Sequence, residues 1–184
     1  MREKQQHRSH LYFRLLGLFA VVAISIFFFT FREKAQEYTA LGYPGIFLIA
    51  LLANATVIIP APGVAVVFSM GSVFNPLAVA LAAASGAALG ELTGYLAGFS
   101  GQIFAERSKA YQLVLPVVQK FGGWAILLLS AIPNPLFDLA GIAAGACKIP
   151  VRRFLFFCWF GQLIKMSAFS LAGYYSIDWF SKWT

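Results

Sequence analysis

Residues 131–150 read AIPNPLFDLAGIAAGACKIP, two prolines around an asparagine, then an aspartate, then an apolar run closed by a third proline. Proline has no backbone donor and does not continue a helix. The apolar sequence on either side therefore divides into two arms, 124–132 and 136–146, each about half the roughly 20 residues that cross a bilayer. The same construction stands earlier in the chain. Residues 58–76, IIPAPGVAVVFSMGSVFNP, share the paired prolines, a glycine before the exit and the closing proline, Pro76 answering Pro150. Here too the arms are short, at 46–59 and 64–74. Each construction leads into a longer apolar segment, 77–98 ending YLAG and 151–175 carrying SLAG at 170–173 near its end. Twice-repeated, proline-broken half-segments are the pattern of re-entrant hairpins in transporter folds.

Composition agrees with a membrane setting. The chain has 184 residues, 60% hydrophobic and 11% charged, with mean hydropathy +0.76. Soluble domains carry about 25% charged residues. The net charge of +7 sits in short clusters between apolar segments, which marks topology and excludes a nucleic-acid-binding face. Residues 1–10 form a basic tail, and 11–31 are too long for a signal h-region and lack a small-residue cleavage site, so they predict a first transmembrane helix. Residues 177–184 form a short C-terminal tail. Between the two constructions, 100–123 is more polar and predicts an amphipathic helix at the interface.

Charge placement favours hairpins over full crossings. With the N-terminus in the cytoplasm and both hairpins re-entrant, ten Lys and Arg lie inside and three outside, with Lys165 in the membrane; full crossings reduce the split to eight against five. The hairpins, about 46–74 and 124–147, would then enter from opposite faces.

Ionisable groups at membrane depth usually face a cavity or a partner. There are three: Glu91, Asp138 and Lys165. Glu91 stands beside a ladder of Gly86, Gly90, Gly94 and Gly98, whose recurrence at every fourth position predicts close helix packing. It either lines a polar cavity or hydrogen-bonds a hairpin tip. Asp138, just past Pro135, would cap the amides opening the second arm, a role compatible with function. Lys165 would pair with one of the two acids, or join Asn134 in handling a phosphate headgroup at the broken helix. Cys147 and Cys158 lack metal-ligand or disulfide spacing, and His7 and His10 lie in the tail, so no metal and no cofactor is expected. No nucleophile and base pair, metalloprotease motif or phosphate-binding glycine loop is visible, and the chain is expected not to be an enzyme.

These residues carry a resemblance to the DedA superfamily, also called the VTT or SNARE-associated Golgi protein domain. Its carriers are NATVIIPAPG with MGSVFNP, the ladder GAALGELTGYLAG, and AIPNPLFDLAGIAAGACKIPVRRFLFFCWFGQLIK. The resemblance covers 43–176. It implies an all-α integral membrane protein with two inverted re-entrant helical hairpins packed between transmembrane helices, in a family associated with moving lipids between leaflets or recycling lipid-linked phosphates. Bacterial members typically carry a glutamate before the asparagine matching Asn54 and an acid after the first tip's glycine. Here those positions hold Ala53 and Val64, and the arginines around the second tip are absent.

The expected function is movement of phospholipid or lipid-linked phosphate between leaflets, contributing to envelope homeostasis in a bacterial or archaeal cytoplasmic membrane. Asp138, Glu91, Asn134, Lys165 and Asn54 would line a polar seam shaped by the tips Pro60, Pro62, Gly63, Pro133 and Pro135. Membrane lipids are the expected partners, self-association being left open. The alternatives are a non-transporting scaffold that binds through the glycine ladder, or a small-solute or ion transporter.

Overall fold

The computed structural model describes residues 42–55, 63–100, 108–134 and 136–181, and all regular structure among them is helical. The expected tail and first span at 1–31, Pro60, Pro62, Pro135 and residues 182–184 lie outside the described residues. Eight helices follow in order: α1 Gly42–Ala55, α2 Gly63–Gly71, α3 Pro76–Gly90, α4 Leu92–Phe99, α5 Lys109–Phe121, α6 Gly123–Ala131, α7 Phe137–Ala146 and α8 Val151–Ser181. Helices α3 and α4 meet at Glu91 and form one rod of 24 residues, Pro76–Phe99. That rod and α8 are the two helices long and apolar enough to cross a membrane among the described residues. The second continues to Ser181, beyond the boundary expected at 175.

Local chemistry sets the breaks. Asn75 opens α3 by accepting from the amides of Leu77 (3.1 Å) and Ala78 (3.2 Å), and Pro76 occupies the first helical turn, where no donor is lost. Gly122, at φ 54°, ends α5 in a backbone conformation that glycine adopts freely, and α6 starts at once. The α6–α7 break is closed by Asn134. Its amide donates to the carbonyls of Leu129 and Ile132, both at 2.8 Å, and its oxygen accepts from the Leu136 amide at 2.9 Å. Helix α5 buries Tyr111, Val114 and Val118 on one stripe and leaves Leu113, Val117 and Phe121 outward. It is thus apolar on two faces, one packed inward and one presented to its surroundings.

Helices α3 and α8 pack against each other and run antiparallel. The Trp159 indole donates to Ser85 Oγ (3.1 Å), and the Ser170 hydroxyl to the Pro76 carbonyl (2.9 Å), so one helix ascends as the other descends. The short helices fill the flanks. Helix α1 lies on the first half of its own rod, with its Phe47 and Leu51 carbonyls where side chains on Gly86 and Gly90 would stand. Helix α6 lies on the first half of α8, its Leu127 and Ser130 against Gly161. The second arms are exchanged. Helix α7 packs on α4 through Gly98 against the Ile142 carbonyl and Gly145 against the Tyr95 carbonyl; α2 packs on α8 through Gly173 against the Phe68 carbonyl and Gly71 against Ser170.

The exchange keeps register. On the second arms, Phe68 corresponds to Ile142 and Gly71 to Gly145 at one constant offset; on the spans, Gly98 corresponds to Gly173 and Tyr95 to Ser170 at another, a single position longer. Even the ties at the span starts repeat: the Tyr95 hydroxyl donates to the Ile149 carbonyl at 2.7 Å, as Ser170 does to Pro76. Reciprocal contacts of this kind define a two-fold relation between the repeats.

Direction along the spans places the hairpin turns. Gly94 faces Asp138 and Ile142, Gly98 faces Ile142, and Gly145 faces Tyr95 and Phe99, so α7 runs parallel to α4 and toward its end. Helix α6 starts level with Phe157 and finishes level with Gly161. The α6–α7 turn therefore lies part-way along the spans. Both ends of segment 100–150 meet at one end of the bundle, where Tyr95 bonds Ile149 and stacks on Phe154 at 4.9 Å.

Candidate functional site

The joint between α3 and α4 puts Glu91 where two helices of the rod change partner. Gly86 and Gly90 below it receive α1; Gly94 and Gly98 above it receive α7. Glu91 is 2% exposed, and its Oε2 lies 3.5 Å from where a Cβ on Gly141 of α7 would stand. Across from it, α8 brings Cys158 and Lys165 within electrostatic reach, and α7 brings Asp138. Three ionisable groups far apart in sequence thus come within electrostatic reach of one another from α4, α7 and α8.

They converge without pairing. No ion pair forms among Glu91, Asp138 and Lys165; the Lys165 ammonium sits over the Phe137 ring, 5.3 Å from its centre. A cation held on an aromatic face keeps its charge partly satisfied while leaving the carboxylates open. Asp138 is exposed on the first turn of α7 and makes no hydrogen bond to that turn's amides. The capping expected of it is not made: no side chain caps α7, and Asn134 instead commits its oxygen and nitrogen to the backbone of the turn before it. Asn134 shapes the turn beside the polar groups.

The other expected residues fall elsewhere. Asn54 donates to the Ala50 carbonyl (2.8 Å) within α1 and backs Gly90. Gly63 opens α2, where a Cβ would meet the Ala53 Cβ at 3.5 Å. Pro133 is exposed at the second turn.

One residue that the sequence reading missed belongs to this site. Gln162 is fully buried, on the α8 face that carries Cys158 and Lys165, and neither end of its amide has a hydrogen-bond partner. Glu91 Oε1 is likewise buried and unpartnered. Buried polar atoms without partners cost about 1–3 kcal/mol each, so both side chains are costly to hold inside the bundle. The spacing of Gln162 from Cys158 and Lys165 was the available signal, hidden by weighting only ionisable groups. No cluster of three His, Cys, Asp or Glu suited to a metal occurs among the described residues.

The fold and site together define a helical membrane protein whose ionisable groups come together from the second half of the rod, α7 and α8. The VTT domain model matches residues 59–175, and the chain belongs to that family, within the DedA and SNARE-associated superfamily. It is similar to vacuole membrane protein 1 of Homo sapiens and of Pongo abelii, each 46% identical over 68 residues. The Mus musculus protein is 44% identical over the same length. The matched stretch covers 36% of this chain and 16% of each relative. No solved structure matches the chain.

Proposed function

We propose that the protein moves phospholipid or lipid-linked phosphate between leaflets, without enzymatic chemistry, along a seam that passes the α6–α7 turn. The observation that carries this is the convergence of Asp138, Lys165 and Glu91 beside helices too short to cross. Helices α6 and α7 have 9 and 10 residues, about 15 Å of helix each, against a hydrocarbon core of about 30 Å. With both ends of segment 100–150 at one end of the bundle, a re-entrant hairpin is the reading these lengths support, and the two-fold relation supports a second from the opposite face. Exposed Asp138 at the mouth, half-buried Lys165 behind it and buried Glu91 beyond grade the seam from its surroundings inward. Such a seam would carry a headgroup while the acyl chains stay in lipid.

The scaffold alternative, binding a partner through the glycine ladder, finds no support. All four ladder glycines are covered within the chain, by α1 and by α7.

The test is leaflet exchange of a fluorescent phospholipid in proteoliposomes, read by dithionite quenching. The expected result is exchange faster than in protein-free vesicles, slowed about fivefold or more by Asp138→Asn, the rate equivalent of ~1 kcal/mol on the barrier. Exchange no faster than in empty vesicles would overturn the reading.

A further inference from the structure

We propose that the starts of α6 and α8 form a binding site for one anionic phospholipid, its headgroup phosphate engaged by Lys120 and Arg153 and an acyl chain laid along the outer face of α6. The inference rests on the membrane reading above but not on lipid movement. Two contacts assemble the site. A side chain on Gly123 would strike the Phe157 ring, and the Trp124 ring meets that same ring edge-on at 5.2 Å, so the first residues of α6 are held against the early part of α8. Lys120 stands three positions before Gly123, and Arg153 one helical turn before Phe157. Both are exposed, and such long side chains lay their stems on apolar surface and carry the charge to its rim. The Lys120 ammonium already lies over exposed Phe121, 5.2 Å from the ring centre.

The surroundings select an anionic amphiphile. Residues 109–132 and 151–164 carry Lys109, Lys120, Arg152 and Arg153 and no Asp or Glu. Among the described residues, no ion pair or hydrogen bond engages Lys120 or Arg153. Past the cations the surface turns apolar. Trp124, Leu128 and, at the helix end, Ile132 recur at every fourth position of α6 and are exposed, as are Phe156 and Phe160 on α8. The rings form a chain, Trp124 on Phe157, Phe157 on Phe156 and Phe156 on Phe160, with centres 5.2, 5.5 and 4.8 Å apart. Helices α6 and α8 run inward together, since α6 starts level with Phe157 and finishes level with Gly161. An acyl chain along them therefore points into the hydrocarbon while its phosphate stays with the cations at the helix starts. Tryptophan suits that level, its ring being amphipathic between headgroup and acyl chain. A free phosphate would meet the cations alone, and a zwitterionic lipid would place its own cationic group among them.

The experiment uses the full chain in dodecyl maltoside micelles and follows thermal unfolding as phosphatidylglycerol, or phosphatidylcholine with the same acyl chains, is titrated in. Phosphatidylglycerol should raise Tm saturably, with a midpoint about tenfold or more below that of phosphatidylcholine. Lys120→Gln and Arg153→Gln should each move the phosphatidylglycerol midpoint up about fivefold and leave that of phosphatidylcholine in place. Both cations are exposed, so Tm without added lipid should change little. Trp124→Ala should weaken both lipids. Lys109→Gln, at the far end of α5, should leave the preference as it is. Equal midpoints for the two lipids would overturn the proposal. So would an equal rise in Tm with inorganic phosphate alone, or a loss on Lys109→Gln as large as on Lys120→Gln, which would mean diffuse attraction to the whole basic surface. Asp138, Lys165 and Glu91 take no part in this site, so lost lipid exchange leaves it standing, and an absent lipid preference leaves the lipid-movement reading standing.

Discussion

The two halves of the molecule share a frame and differ in what the frame carries. Ile142 meets Gly98 as Phe68 meets Gly173, and Gly145 meets Tyr95 as Gly71 meets Ser170. Yet in that same register the first half holds Val64 where the second has Asp138, and Gly90 where the second has Lys165. The polar groups collect around the second turn, on α4, α7 and α8. Packing was thus built twice and the chemistry once: the repeat supplies symmetry of support, and the departure from it marks the site.

The hardest way to break the comparison is to fill its shared contacts. A methyl group at Gly98 would strike the Ile142 carbonyl, and one at Gly173 the Phe68 carbonyl; both neighbours are backbone and cannot step aside. Gly98→Ala and Gly173→Ala should each cost about 1–3 kcal/mol, outweighing the gain of alanine's helix propensity. Unfolding in detergent with increasing denaturant would measure this. The frame predicts similar losses at the two sites. A loss at one alone would show that only one second arm is held by its exchanged contact. Because these glycines hold the fold together, a disruptive Gly90→Leu does not separate transport from scaffolding, whereas Asp138→Asn bears on transport directly.

A smaller change compares the ties at the span starts. Tyr95→Phe removes the hydroxyl bonded to Ile149, and Ser170→Ala the one bonded to Pro76. Each should destabilise by about 1 kcal/mol, the worth of one hydrogen bond with its acceptor left in place. The losses should add, since the ties lie at opposite ends of the bundle. Strong coupling in the double variant would mean that the two ends unlock together.

Much of this frame was legible because proline and glycine act locally. The prolines near 60 and 133 divide apolar runs whatever surrounds them, and the arms 124–132 and 136–146 appear as α6 and α7 with ends moved by a single position. The glycine ladder announced close approach but not which helix approaches, so the exchange of second arms, a long-range choice, was invisible. Asp138 was expected to cap α7 because carboxylates near a helix start often do. Helix α7 has no side-chain cap, and the break before it is closed by Asn134, which donates to and accepts from the broken backbone at once. Gln162 escaped notice because a neutral amide in an apolar helix becomes meaningful only when its surroundings leave it unbonded.

The gentlest test concerns where the halves leave their hairpins. The first exit is closed by Asn75 in an ordinary conformation. The second turns at Lys148, held at φ 54° while its amide bonds the Gly145 carbonyl (2.9 Å) and the Ile149 amide bonds Ala144 (3.1 Å). A left-handed backbone costs a residue with a side chain about 1–2 kcal/mol, and glycine escapes most of that while losing more chain entropy on folding. Lys148→Gly should therefore raise stability by about 0.5 kcal/mol, with the hairpin contacts unchanged. The lysine is exposed and lies close in sequence to Arg152 and Arg153. If the glycine variant is instead less stable, the side chain contributes packing or charge at the start of α8 that offsets its backbone strain, and the two exits differ in substance as well as in shape.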